Sequence, residues 1–156
     1  MNQNDINRLA DFSERIRTST IKRLTLVPEG MANKSFPSGA MSPADIAAHL
    51  IQIDEVLLKL PQTKFKKKDL GQKGQRVVQD QSEYASLISE LECLKTKRKS
   101  FILALDDDAL GMSIRFEALA GNGEMDLCSM IYRLLDHEIH HRGALSVFLR
   151  AIEEGF

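Results

Sequence analysis

The sequence predicts an all-α protein, a four-helix bundle formed by a single domain over residues 1–156. Three observations carry this. Four segments space their apolar residues three and four apart, the period of a helix with one buried face. The stretches between them are rich in proline and glycine or in lysine and have no such period. Only residues 111–124 alternate with period 2, too little to found a sheet protein.

Composition narrows the class. The chain has 43% hydrophobic and 28% charged residues with a net charge of −1, ordinary for a soluble domain. The charge balance gives nucleic acid no general purchase. No apolar run reaches the roughly 20 residues of a membrane span, and the polar start Met1-Asn2-Gln3-Asn4-Asp5 is no signal peptide. Cys93 and Cys128 lack metal-type spacing and read as reduced thiols of a cytoplasmic protein. Cys128 is read as a small core residue. With no tryptophan, the core must be mainly aliphatic.

The first segment covers residues 5–26, where Ile6, Leu9, Phe12, Ile16, Thr20 and Leu24 define the inner face and Asp5 is placed to cap. A loop follows to Met41. Ser42-Pro43 then starts the second helix, serine as N-cap and proline in the first turn. Ile46, Leu50, Ile53, Leu57 and Leu60 form its stripe, and Pro61 stops it. His49 lies on the flank of that stripe. Residues 62–79 carry Lys64, Lys66, Lys67, Lys68, Lys73 and Arg76, read as a solvated basic connection. A connection this long lets consecutive helices run parallel.

The third helix runs from about Asp80 to Leu105, with Tyr84, Leu87, Leu91, Leu94, Phe101 and Leu105 inward and Arg98 as the one polar entry. Asp106-Asp107-Asp108 reads as an acidic turn without the ligand ladder of a calcium loop. Met112, Ile114 and Phe116 mark one short extended stretch, and Gly121-Asn122-Gly123 a turn. The fourth helix spans about Asp126 to Glu154, its buried arc set by Leu127, Ile131, Leu134, Leu145, Phe148 and Ile152.

Three of the four histidines fall within His137-Glu138-Ile139-His140-His141. At about 100° per residue, His141 lies inside the buried arc, His137 on its edge, Glu138 near its centre, and His140 points away. Two imidazoles four apart on one face can grip one cation, and burying both without partners is costly. His49, leaning inward from another helix, supplies a third ligand. Three histidines leave a fourth position open, the pattern of a catalytic metal site. Glu138, a carboxylate facing the core, is expected to partner the cation or its water, orienting a ligand or moving a proton. The same residues satisfy the HExxH pattern of zinc peptidases. Val147, however, stands where a metzincin's third histidine would be.

Ala47-Ala48-His49-Leu50 and His137-Glu138-Ile139-His140-His141-Arg142-Gly143 together resemble the DinB/YfiT-like family of metal-dependent enzymes, whose pattern is H-x-x-x-H-R-G. Ala144 departs from the glutamine frequent after that pattern, and Asp136 from the asparagine frequent before it. The resemblance implies an up–down–down–up bundle with His49, His137 and His141 as ligands to zinc or nickel. It further implies homodimers and a small-molecule substrate, with low-molecular-weight thiols such as bacillithiol or mycothiol as co-substrates. The expected activity is thiol S-transfer or metal-assisted hydrolysis. The alternative is a non-catalytic metal-binding bundle of the stress response.

Overall fold

The computed structural model describes residues 3–60, 65–66, 76–118 and 121–155. Their order is α1 (Gln3–Thr25), α2 (Pro43–Leu57), β1 (Phe65–Lys66), α3 (Gln81–Leu103), α4 (Asp107–Leu110), β2 (Ser113–Ala118), β3 (Gly121–Asp126) and α5 (Leu127–Glu153). The four long helices are the expected ones. No helix among the described residues is long and apolar enough to cross a membrane. Most of the basic connection, residues 61–64 and 67–75, lies outside the described residues.

Caps fix where the helices begin. Ser42 Oγ accepts from the Asp45 amide and Asp45 returns the bond to the Ser42 amide, each at 3.1 Å, with Pro43 opening the first turn. Two of the orphan donors at the head of α2 are thereby met. Asp80 and Asp126 cap α3 and α5 singly, each side chain accepting from the amide three residues on. Asp5 sits in the first turn of α1, which begins two residues earlier.

Side-chain bonds give the helix directions. Tyr84, at the head of α3, donates to the Leu24 carbonyl near the end of α1, while Lys99, near the tail of α3, pairs with Glu14. These two helices therefore run antiparallel. Arg17 bonds Glu138 and Arg23 bonds Ser146, so α1 and α5 run parallel. The Ala44 amide donates to Ala32 just past α1, and Asp54 meets Arg17 farther back. Helix α2 thus descends beside α3, and the arrangement is up–down–down–up.

The core between them is aliphatic. Leu24, Leu50, Leu91, Ile102, Leu127, Ile131 and Leu145 are buried, and each such side chain contributes roughly 1.5–3 kcal/mol of transfer free energy. Four stripe positions differ from the sequence reading, Leu105 and Ile152 being only partly buried and the other two out of phase. Phe12 is 37% exposed while Ser13 turns inward, and in α3 the inner row passes from Arg98 to Ile102 with Phe101 only half-buried. The changes from Phe12 to Ser13 and from Phe101 to Ile102 are each one step of helical phase.

Three further boundaries move. Helix α2 ends at Leu57, with Leu58–Leu60 in a turn. The aspartate run is a cap and first turn, Asp106 accepting from the Ala109 amide to start α4. The Gly121-Asn122-Gly123 segment belongs to a strand and is not the turn. β2 and β3 pair antiparallel from Ser113↔Asp126 to Ala118↔Gly121, and β1 adds parallel to β2. Pairing to β2 satisfies backbone groups that the glycines' turn preference would otherwise leave to a loop.

A candidate metal centre between α2 and α5

His49 lies in the second turn of α2 and meets α5 through His137. His137 and His141 project from α5 one turn apart. Nε2 of His49 lies 2.9 Å from Nε2 of His137, which lies 3.0 Å from Nε2 of His141. Ligand atoms of all three residues fall within 4.8 Å of one another. The rings are tilted or edge-on to each other, with centroids 4.6–5.1 Å apart, so their nitrogens converge without stacking.

This donor set fits a divalent cation. Metal–nitrogen bonds of about 2 Å at a tetrahedral angle put ligand nitrogens about 3.3 Å apart, close to what is found. Hydrogen bonding among the rings fits less well. A ring nitrogen carries one hydrogen or one lone pair, so His137 Nε2 completes only one good bond with its two neighbours. A cation would be met by all three lone pairs. Electrostatics points the same way. Burial, then the neighbouring rings of His137 and His49, pushes His141 down to about 3. His137 is lowered by burial, then by His49, His140 and Arg133. Lowered values keep the imidazoles neutral, the form that binds metal.

His141 is buried and His137 is partly exposed, so the cluster has a closed side and an open one. His140 is exposed, its ring 5.6 Å from that of His141, as the helix geometry predicts. Cys128 is partly buried against the core, and burial pushes its thiol up.

The Glu138 carboxylate has partners other than a cation. Arg17 donates to it through Nε at 2.7 Å and a terminal nitrogen at 3.0 Å, and Arg98 adds a bond of 2.7 Å. The same guanidiniums reach Asp54, at 2.7 and 3.1 Å. All four side chains are 3% exposed or less. Burial alone would raise the Glu138 carboxyl, but the two guanidiniums outweigh it and hold it at about 2. The two carboxylates in turn keep Arg17 charged against its burial. Sequence reasoning noticed Arg98 and missed Arg17 and Asp54. The signal was present: Arg17 follows Ile16 and Asp54 follows Ile53, each one step off an apolar stripe.

A model of the DinB superfamily matches residues 13–145. The chain belongs to the DinB superfamily. The matched span begins in α1 and ends in α5, and it contains the three clustered histidines and all four members of the charged group. The three-histidine cluster is compatible with metal binding in a DinB superfamily protein. No match was found among curated proteins.

Proposed function

We propose that this DinB superfamily member is a divalent-metal-dependent enzyme acting on small molecules, with thiol S-transfer as its reaction and metal-assisted hydrolysis as the close variant. One observation carries the reading: three imidazole nitrogens from two helices converge on a point with one exposed side. His49, His137 and His141 would hold the ion. Zinc or nickel held there supplies Lewis acidity and acidifies a thiol or water brought to it.

The chain's own residues do the rest. Neutral rings at His137 and His141 keep their donor lone pairs available at physiological pH. The partly exposed edge at His137 admits a substrate while the buried side at His141 excludes water. Glu138, held at about 2 with both oxygens engaged, is a poor proton acceptor at neutral pH. Its part is to position the helical turn that carries His137 and His141. A homodimer in the cytoplasm and a low-molecular-weight thiol co-substrate complete the proposal on the strength of the family resemblance.

The test uses untagged protein. Elemental analysis should find about one zinc or nickel per chain. Loaded protein should then consume an electrophile only when a low-molecular-weight thiol is present, or hydrolyse an ester without one. Metal bound at full stoichiometry with neither turnover would replace the enzyme by a non-catalytic metal-binding bundle. No metal under any loading condition would sink the site.

A further inference from the structure

Arg17, Asp54, Arg98 and Glu138 come one from each of the four long helices, α1, α2, α3 and α5 in that order. Each guanidinium bonds both carboxylates. The carboxylates belong to the two helices that carry the histidines. Those two helices pack mainly on α1 and α3 and only sparsely on each other. Their alignment is therefore set largely through third parties.

We propose that Arg17 and Arg98 form a clamp that draws Asp54 of α2 to Glu138 of α5 and so sets the geometry at which His49 meets His137 and His141. The proposal rests on the metal reading above. Glu138 directly follows His137, and Asp54 lies five residues beyond His49, about 7.5 Å along the helix. Apolar packing alone leaves α2 free to slip. A slide of one turn replaces Leu50 by Ile46 or Ile53 in the same contacts, yet it moves His49 about 5.4 Å from the other rings. The clamp forbids that slide, because it would leave buried charges without partners. Replacing a buried ionic group by apolar side chains of similar size is often neutral for stability. A requirement for register therefore explains the group better than stability does.

Cobalt(II) alone is the probe, since its visible absorption is strong in tetrahedral sites and weak in octahedral ones. Two variants are titrated beside the unsubstituted protein, with folding followed by circular dichroism. One replaces the whole group by Arg17→Met, Asp54→Leu, Arg98→Met and Glu138→Met together. The other is Asp54→Asn, which keeps size and one acceptor and stands away from the ligands. We expect both to lose about 10- to 100-fold in cobalt affinity, the usual cost of disturbing groups that orient ligands. At saturating cobalt the absorption should be weaker or shifted, a change that lost stability alone does not produce. A folded variant that titrates and absorbs like the unsubstituted protein overturns the clamp. If the fourfold variant does not fold, Asp54→Asn decides alone. Failure of the metal reading shows separately, as no cobalt uptake by the unsubstituted protein.

Discussion

Two polar clusters share α2 and α5, one of them reaching α1 and α3 as well, and they are held on different terms. In the charged group, two cations face two anions, and every carboxylate oxygen accepts at least one bond. In the histidine cluster, three like groups point the same kind of atom at one place. The first balances its own charges, with Arg98 Nε left buried without a hydrogen bond. The second cannot pair all of these nitrogens with one another, and the arrangement is compatible with a small cation. A buried polar residue is thus no sign of a ligand site until its partners are counted. Glu138 and His141 are both buried on one turn of α5, and counting partners assigns them to different clusters.

The largest expected effect breaks the comparison at the histidines. His49→Ala, His137→Ala and His141→Ala should each abolish divalent metal binding, while His140→Ala keeps full stoichiometry, by metal analysis of folded protein. Retention in His141→Ala with loss in His140→Ala would put the wrong face of α5 inward.

Arg17→Met strikes the other cluster. It leaves two buried carboxylates with one guanidinium between them, and urea denaturation should record a loss of about 3–5 kcal/mol. That is a large part of the roughly 5–15 kcal/mol available to a domain. An effect under about 1 kcal/mol would mean that the group is solvated.

Acid should separate the clusters by pH. His141 falls from an ordinary 6.5 to about 3 on folding, so the unfolded chain binds its proton first. Stability from this source is complete above about 6.5 and lost as pH falls toward 3. Glu138 falls from 4.5 to about 2, so its contribution is complete above 4.5 and lost between there and 2. Metal-free protein should lose stability over both windows, and His141→Ala should shrink the upper one, leaving the part due to His137. Thermal melting across pH 7 to 2.5 checks this, and an unchanged upper window in His141→Ala would contradict it.

The smallest effect is a control. Ser42→Ala breaks the capping box of α2 at a cost of about 1 kcal/mol, touching neither cluster. Its melting temperature should drop while its cobalt titration stays that of the unsubstituted protein. A matching loss of metal would show that stability alone governs the site.

Much of this was legible in the sequence because helical phase is strict. The 4-3-4-3 stripe of α2, the Ser42-Pro43 start and the angles separating His140 from His141 all follow from about 100° per residue. The charged group was harder to see because a charged residue is by default solvent-facing. Arg17 and Asp54 become intelligible only once the opposite charges on α3 and α5 are brought to them. The hairpin was half visible. Ile114 shows its buried side by alternation with Ser113 and Arg115, but Gly121 and Gly123 have no side chains to alternate. Their strand exists because β2 is there to pair with it.

His49 and His137 are 88 residues apart in sequence, and that separation has a temporal meaning. A chain still emerging from synthesis carries His49 without the other two until α5 is made. When α5 forms, it presents two of the three rings. Only docking of the early helix against the late one supplies the third tooth. The set of three therefore exists only in the docked fold, and neither helix carries it alone.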